Sequence, residues 1–265
     1  MIQEKSITNI AELIQELNIL PNHYIFRGHA DASWKLESTL ERVIGSKWSA
    51  ENAQKFEEHS LGTFRSKFNI YNQLEQIPKS KLSWLSLMQH YGVPTRLLDF
   101  TQSPYVALYF ALEAYNPLSK LDFAVYAIDY TAIMENSITH IKNKDVKFSY
   151  ERTDIHGNQD EIFDDVVDRF SYDILWITEP LELNARIDRQ AGTFLISGNR
   201  EKTIESIIHS SLYPNCVTKL VIKNDLYENV YALLRKMNIN SKSIYGDLSG
   251  LAKAIKMELQ VYTYI

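Results

Sequence analysis

Residues 84–111, WLSLMQHYGVPTRLLDFTQSPYVALYFA, place a polar segment between two apolar ones. Both apolar segments have the length and pattern of helices, and Gly92 followed by Pro94 ends the first of them. The hydrogen-bonding side chains gather at the extended segment between them, namely His90, Tyr91, Arg96, Asp99, Thr101, Gln102 and Ser103. Strand ends and loops held by rigid neighbours commonly carry binding and catalytic groups. We therefore expect this stretch to form one wall of an active site.

Composition narrows the class of protein. The chain has 265 residues, a formal net charge of −5 and one cysteine, Cys216, which we expect to be a small buried residue before a strand. No apolar run reaches the roughly 20 residues of a membrane span, and residues 1–20 lack the apolar core of a secretory signal. We therefore expect a cytoplasmic protein that does not bind membranes. The excess of acidic over basic residues does not favour nonspecific binding to nucleic acid.

Helical patterns cluster early in the chain and strand patterns late, without a regular βαβ alternation. This order favours an α+β fold in which a mainly helical N-terminal half packs on a mixed or antiparallel sheet. Because no linker or composition break occurs, we expect a single domain over residues 1–265. Residues 1–22 contain an amphipathic N-terminal helix, and residues 134–172 are a polar, variable insert of loops with a short helix near residues 161–169.

Arg27 and Gly28 follow a short buried strand predicted at residues 24–26. An arginine at a strand end can present a forked cation, and the glycine lets a ligand approach the backbone closely. This combination suits recognition of a phosphate or a carboxylate. The alternative is that Arg27 pairs with Asp31 or Asp99 and fixes a turn.

Asp99 lies near the end of the extended segment, three positions after Arg96. A salt bridge between neighbouring elements is the favoured interpretation of Arg96. Thr101 and Ser103 alternate, so their hydroxyls lie on one side of an extended segment. Ser103 followed by Pro104 is typical of a helix start, so we expect Ser103 to be the N-cap and Thr101 to keep the freer hydroxyl.

His90 and Tyr91 lie at the predicted helix end before Gly92. The carbonyl groups of a helix end can stabilise a histidine, so a structural role competes with a catalytic one. Tyr109 and Phe110 lie on the helix after Ser103, where we expect them in the core, with the alternative that one of them offers a flat face to an aromatic ring.

Residues 186–194, RIDRQAGTF, form a second polar cluster with Arg186, Arg189 and Gln190. The glutamine amide can donate and accept, which suits recognition of a ligand's edge. The acidic run at 160–168, DEIFDDVVD, has helical spacing and no accompanying histidine. We interpret it as a solvated helix face rather than a metal site.

Several standard signatures are missing from the sequence, which contains no GxGxxG, P-loop, GxSxG or HExxH motif. Nucleotide kinases, dinucleotide oxidoreductases, serine hydrolases and zincins are therefore poorly supported.

At these residues the sequence resembles the FRG-domain family, named for the tripeptide present here as Phe26-Arg27-Gly28. The resemblance includes FRGHADASWKLESTLER at 26–42 and LMQHYGVPTRLLDFTQSPYVALYFA at 87–111, and it continues at 186–194 and 243–255. These blocks extend over nearly the whole chain in the expected order, with the insert outside them. The family implies no settled activity.

The sequence is also similar, more weakly, to ADP-ribosyltransferases. In one branch of those enzymes an aromatic-Arg-Gly strand binds the nicotinamide side of NAD, and a Ser/Thr-x-Ser strand and an Ala- and aromatic-rich helix follow. Phe26-Arg27-Gly28 and Thr101-Gln102-Ser103, followed by VALYFA at 106–111, are similar in type and order. The third element of those enzymes is a late strand with a catalytic glutamate, and Gln190 occupies the corresponding place.

That departure matters because the nicotinamide–ribose bond breaks through an oxocarbenium-like state, which a carboxylate normally stabilises. Asp99 is one candidate for this carboxylate, and Glu179 or Glu182 could approach from the loop before Gln190. Without such a group the site would bind a nucleotide but leave it intact.

The resemblance implies an ADP-ribosyltransferase-like fold and an NAD-consuming enzyme, a bacterial toxin or phage-defence component, with NAD as co-substrate. A protein or nucleic acid would be the acceptor, and an antitoxin would be a partner. The implied catalytic residues are Arg27, Asp99, Thr101, Ser103 and Gln190. The implied nucleotide-binding residues are Arg27, Gly28, His90, Tyr91, Thr101 and Tyr109.

Two alternatives remain open from the sequence. One is a non-catalytic module that senses a nucleotide or binds a protein, which the missing glutamate favours. The other is a nuclease that acts through Asp99, His90 and the arginines.

Overall fold

A seven-stranded mixed sheet lies at the centre of the computed structural model, which describes residues 2–72, 76–181 and 185–264. The strands are β1 Gln3–Ile7, β2 Tyr24–His29, β3 Leu98–Thr101, β4 Phe123–Asp129, β5 Leu175–Thr178, β6 Gly192–Ser197 and β7 Val217–Ile222. They lie in the order β1-β7-β4-β2-β3-β6-β5, and neighbours are antiparallel except for β1 with β7. The predicted α+β class with a mixed sheet is confirmed.

Helices pack on both faces of this sheet. Their bounds are α1 Ile10–Ile19, α2 Thr39–Ile44, α3 Ala50–Tyr71, α4 Lys81–His90, α5 Pro104–Glu113, α6 Tyr130–Lys144, α7 Arg152–Ile155, α8 Gln159–Ile162, α9 Ala185–Arg189, α10 Ile204–Ile208, α11 Tyr227–Lys236, α12 Ser241–Tyr245 and α13 Leu248–Tyr264. Ser103 accepts a hydrogen bond from the Val106 backbone and caps α5 ahead of Pro104, as the sequence predicts. The capped start of α5 fixes where β3 ends.

Two hydrophobic cores lie on opposite faces of the sheet, and β4 contributes to both. Phe123 and Val125 belong to the core formed with α1, α5, α11, α12 and α13, whereas Tyr126 and Ile128 belong to the core formed with α4, α6 and α10. Because side chains alternate along a strand, a strand covered on both faces must be apolar throughout. This explains the uninterrupted apolar pattern that identifies β4 in the sequence.

Two elements differ from the expectation. β1 is not predicted because only Ile7 of its residues is buried, and parallel pairing with β7 holds it in the sheet. Residues 134–144, where loops were expected, belong to α6, since Ile133, Ser137 and Ile141 recur at helical spacing behind a polar surface. Helical structure does occur near the predicted residues 161–169, as α8 and the π-helical turn Phe163–Val167.

Cys216 is buried immediately before β7, as predicted. In the part of the chain that the structure describes, no helix combines the length and apolar character needed to cross a membrane.

The strand β2 and the helix α5 approach each other through Gly28. A Cβ at this position would lie 1.8 Å from the carbonyl oxygen of Ala107 and 2.7 Å from the amide nitrogen of Ala111, both in the backbone of α5. Glycine is therefore required for the packing of helix on strand. The missing side chain of Gly28 thus makes room for α5, whereas Gly28 also lines the cavity described below, and its contact with a ligand stays a prediction.

We predict that Gly28→Ala lowers the free energy of unfolding by about 3 kcal/mol or more, since the methyl group collides with backbone that cannot move aside. The matched control is Gly62→Ala, an exposed position in α3 where a Cβ meets nothing within 4 Å. Urea unfolding of both variants provides the measurement. Equal stability of the two variants would contradict the packing argument.

A buried ionic cluster joins α3 and α4 to the segment that leads into β3. Glu57 of α3 accepts hydrogen bonds from Arg96 at 2.5 and 3.2 Å, and Asp168 binds the same guanidinium. Lys81 lies 3.0 Å from Glu57 and 2.7 Å from Asp168, and Arg200 lies 2.5 Å from Asp168. The cluster holds the start of β3 against the helices on that face.

This cluster corrects two expectations. Arg96 has the structural role that was favoured, but its partners are Glu57 and Asp168 rather than Asp99. The acidic run is not uniformly a solvated face, because Asp168 lies in the cluster and Asp164 accepts the backbone N–H of Lys81 at the start of α4. Only contacts between distant segments reveal these roles.

The pH dependence of folding should reveal the cluster. Burial by itself would raise the pKa of Glu57, but the charges of Arg96, Lys81 and Arg200 outweigh burial and lower the pKa from 4.5 to about 2. Since this pKa is lower in the folded than in the unfolded chain, the stabilisation is complete above pH 4.5 and is lost as the pH falls towards 2.

We predict that Glu57→Gln lowers the free energy of unfolding at neutral pH by about 3–5 kcal/mol, because it leaves buried cations uncompensated. The variant should also lose less stability than the wild type on acidification. Denaturant titrations from neutral to acidic pH measure both effects, with Glu58→Gln, an exposed neighbour, as the control. An unchanged acid dependence in Glu57→Gln would refute this assignment.

Candidate functional site

A cavity of about 380 Å3 opens where β2 and β3 separate. β2 pairs with β4 and β3 pairs with β6 along their lengths, but β2 and β3 pair with each other only at Phe26 and Thr101. Beyond that pair the strands diverge, and residues 27–29 of β2 face Asp99 and Phe100 of β3 across the gap. We call this space the split cavity. Side chains of α4, α5, α13 and the end of α9 complete its walls.

Arg27 crosses the gap between the two strands. Its Nη1 donates to the backbone carbonyl of Asp99 at 2.7 Å, and its Nε donates to Nε2 of His29 at 3.0 Å. The guanidinium thus supplies the hydrogen bond that the Asp99 carbonyl cannot obtain from β2. Burial lowers the pKa of Arg27 to about 10, and the charge of Asp99 acts in the opposite direction. No carboxylate among the described residues forms an ion pair with Arg27, so neither Asp31 nor Asp99 fixes it as a structural salt bridge.

Two carboxylates line the split cavity in the described part of the chain. Glu113 is engaged, since it accepts from Tyr109 at 2.6 Å and Tyr245 at 2.7 Å and lies 3.2 Å from Lys253. The carboxylate of Asp99 is exposed and has no hydrogen-bond or ion-pair partner among the described residues. Asp99 is therefore the carboxylate of this cavity that can meet a ligand without breaking an existing contact.

Two glutamine amides present unused donors to the split cavity. Nε2 of Gln190 and Nε2 of Gln89 are buried without a hydrogen-bond partner among the described residues. The Gln89 carbonyl oxygen accepts from Thr95, so its remaining capacity is that of a donor. Buried amide donors without partners are uncommon in folded proteins, which indicates that a ligand or water satisfies them.

The hydroxyls of Thr101 and Ser103 are used within the protein. Thr101 is 2% exposed, and it donates to the Gln190 carbonyl at 2.6 Å while accepting from the Ser103 backbone at 3.1 Å. Ser103 caps α5 through Val106 and does not line the cavity. The expectation that Thr101 keeps a free hydroxyl is wrong, because that hydroxyl connects β3 to the end of α9.

The three ring residues proposed for nucleotide binding occupy different places. His90 lines the split cavity from the end of α4. Tyr91 is 57% exposed and lines a separate groove formed by α3 and the end of α4. Tyr109 is 1% exposed and bonds to Glu113 and Ser241, so it belongs to the core and cannot stack on a ligand.

Trp34 and Phe110 supply the aromatic surface that Tyr109 does not. Phe110 is the alternative to Tyr109 named above, whereas Trp34 was not predicted. Trp34 lines the split cavity and is 51% exposed. A tight turn holds it, in which Asp31 accepts from the backbone of Ser33 at 2.8 Å. Phe110 follows Tyr109 on α5 and faces the cavity. An aromatic residue seven positions after Arg27 is visible in the sequence, but the geometry of the loop decides whether its ring reaches the cavity.

The other carboxylates considered for catalysis are not in this cavity. Glu179 lines a second cavity of about 300 Å3, with Arg152 and His156, on the far side of Thr193. Glu182 and the side chain of Arg186 lie outside the described residues. Arg189 donates to the Tyr245 carbonyl at 3.0 Å and does not line the split cavity.

A structural role for the Thr101 hydroxyl makes a specific prediction. Thr101→Val should lower the free energy of unfolding by about 1–3 kcal/mol, because the Gln190 carbonyl and the Ser103 N–H lose their partner. Thr101→Ser should retain most of the stability, since it keeps the hydroxyl. Thr153→Val, at an exposed position, is the control. Denaturant unfolding is the measurement, and a Thr101→Val variant as stable as Thr101→Ser would show that the hydroxyl is dispensable for folding.

Comparison with known proteins identifies one family. A family profile described as the FRG domain matches residues 22–120, which include β2, α2, α3, α4, β3 and α5. These elements contribute both strands that border the split cavity. No curated protein and no solved structure matches the chain. The resemblance seen in the sequence is thereby confirmed for this segment: residues 22–120 match the FRG domain.

Proposed function

We propose that the split cavity binds a nucleotide and that this protein is an ADP-ribosyltransferase-like enzyme that consumes NAD. One observation carries the proposal. Arg27 and Asp99 line the same cavity, and neither side chain has an ion-pair partner among the described residues. A cation and an anion held close together but unpaired suit a ligand that has both an anionic group and a carbon that becomes positively charged.

A comparison with the buried Arg96 explains why the half-buried Arg27 is suited to an anion. Arg96 is surrounded by Glu57 and Asp168, as expected for a structural guanidinium. Arg27 instead contacts an imidazole and a backbone carbonyl, both of which leave its charge uncompensated. Because a partly buried charge without a counterion is costly, a phosphate is a natural partner for this guanidinium.

The remaining walls fit the other parts of a nucleotide. Trp34 and Phe110 offer aromatic faces for a heterocyclic ring, and the Gln89 and Gln190 amides offer donors for carbonyl or hydroxyl oxygens. The volume of about 380 Å3 lies at the lower end of the roughly 300–1,000 Å3 range of ligand pockets. It suits one nucleotide half, with the rest of a dinucleotide outside.

Asp99 is the residue we assign to bond cleavage. When the bond between nicotinamide and ribose breaks, its electron pair leaves with nicotinamide and positive charge develops on the ribose carbon. A carboxylate stabilises that charge, and the attacking water or acceptor group loses a proton as its new bond to the ribose forms. Gln190 is uncharged, so its part is to position the ligand through its amide.

We also propose a biological role for this enzyme. Release of ADP-ribose to water, or its transfer to a protein or nucleic acid, would deplete NAD or modify a target. Either outcome suits a toxin or phage-defence component, and an antitoxin that covers the split cavity would keep such an enzyme silent.

Nicotinamide release from NAD tests the proposal directly. Wild-type protein should release nicotinamide, measured by chromatography with and without candidate acceptors. Asp99→Asn should lower the turnover rate by about 100-fold or more while NAD still binds, because the stabilising charge is lost. Arg27→Ala should chiefly weaken NAD binding. The controls are Asp165→Asn and Arg235→Ala, which change exposed residues outside the cavity.

Two results together would overturn the enzymatic proposal. They are a wild-type protein that leaves NAD intact with every acceptor tried, and an Arg27→Ala variant that binds NAD as well as the wild type.

A second candidate function is a nucleotide-sensing module without turnover, which the uncharged Gln190 and the engaged Thr101 hydroxyl favour. Trp34 distinguishes the two functions, because it is the tryptophan that lines the split cavity in the described part of the chain. NAD should quench its fluorescence in either case, and Trp34→Phe should abolish the quenching. Quenching without nicotinamide release would favour the sensor.

A further inference from the structure

His29 is an unusually buried histidine next to the proposed anion site. It is 4% exposed, and its ring packs edge-on against Trp34 and Tyr126 with centroids 6.0 and 5.0 Å away. Tyr126 in turn donates to the Trp34 carbonyl at 3.0 Å, so the wall around the imidazole is itself braced. The ring is thus packed against two aromatic side chains.

The imidazole acts as an acceptor in this position. Arg27 donates from Nε to His29 Nε2 at 3.0 Å, which requires that Nε2 carry no proton. The ring proton therefore lies on Nδ1, which is buried and makes no hydrogen bond to the described residues. A histidine that gained a second proton could not accept this bond and would repel the guanidinium.

The surroundings keep the imidazole neutral. Burial, followed by the charge of Arg27, lowers the pKa of His29 to about 3, and Arg42 and Lys219 act in the same direction. The backbone of Trp34 acts in the opposite direction but does not compensate. The charged groups named as acting on the ring are thus cations, namely Arg27 of β2, Arg42 of α2 and Lys219 of β7.

We propose that His29 is a positioning residue of the split cavity: as a hydrogen-bond acceptor that carries no negative charge, it aims the Arg27 guanidinium at the ligand without neutralising its charge. This inference deepens the proposed function and names the recognised group as a phosphate. With Nε held by His29 and one Nη1 hydrogen held by the Asp99 carbonyl, the Nη2 group has no partner among the described residues and remains for the ligand.

A carboxylate in place of His29 would also hold Arg27, but it would compete with the ligand. An ion pair such as that of Arg96 with Glu57 satisfies both charges and leaves little attraction for a phosphate. A purely apolar residue would leave Nε buried without an acceptor, and the guanidinium would reorient to find one. A neutral imidazole avoids both outcomes.

Binding of inorganic pyrophosphate to the full chain tests this role without requiring turnover. His29→Leu should weaken pyrophosphate binding about tenfold, the typical effect of losing one hydrogen bond to a charged group. His29→Gln should restore most of the affinity, because its side-chain oxygen can take the place of Nε2. The same two substitutions at His59, an exposed residue of α3, should have no effect. Calorimetry gives the affinities, and circular dichroism confirms that each variant is folded.

The protonation state provides a second readout, which tests whether Nε2 is the acceptor that Arg27 requires. In nitrogen NMR spectra of histidine-labelled protein, the signals missing from His29→Gln identify His29. They should show a proton on Nδ1 and none on Nε2 from about pH 8 to about pH 5, a range in which an ordinary histidine becomes charged. This measurement uses the wild-type protein and His29→Gln, so it remains decisive if His29→Leu does not fold.

Three results would overturn the inference. They are a folded His29→Leu variant that binds pyrophosphate like the wild type, a folded His29→Gln variant that binds no better than His29→Leu, and a wild-type His29 that carries a proton on Nε2 above pH 5.

Failure of the proposed function would give a different set of results. Pyrophosphate binding that depends on His29 without any NAD turnover would leave this inference standing, whereas NAD turnover together with His29-independent binding would remove this inference alone.

Discussion

The separation of β2 from β3 is the constraint on which the site depends. The two strands share a single pair of residues, Phe26 and Thr101, and then diverge in the middle of an otherwise continuous sheet. A split sheet leaves backbone groups without partners, and the Asp99 carbonyl finds its donor in the Arg27 guanidinium. Arg27 is therefore both the bridge across the gap and the cation at its centre. Gly28 permits this geometry, because it lets α5 lie directly against β2 on the opposite side.

Arg96 and Arg27 have different roles because their neighbouring groups differ. Arg96 lies among carboxylates and holds α3, α4 and the entry to β3 together, so its charge is fully used in folding. Arg27 lies against His29 and a carbonyl, so its charge is not used in folding. A residue type alone does not distinguish these cases. The partners do, and they come from segments that are distant in sequence.

Polar residues around β3 that look like ligand-binding groups in the sequence also have structural roles. Thr101 and Ser103 resemble ligand-binding hydroxyls in the sequence, yet one connects β3 to the end of α9 and the other caps α5. Their importance for the site is indirect, since they hold the edge from which Asp99 and Gln190 reach the cavity. The reverse holds for Trp34, which has no predicted role in the sequence and yet forms an exposed wall of the cavity.

The amino-acid sequence by itself determined the local features of this protein: the capped start of α5, the apolar strand β4, the α+β class and the short set of polar residues that includes Arg27, Asp99 and Gln190. Those features depend on residues close together in the chain, whose spacing and capping are visible in a linear pattern. Only the tertiary structure decided which polar groups were free, which carboxylate faced the cavity and that α6 and β1 exist at all. The physical reason is that a hydrogen-bond donor or a charge is free or engaged according to what lies across from it, and at the split between β2 and β3 that neighbour is set by long-range strand pairing.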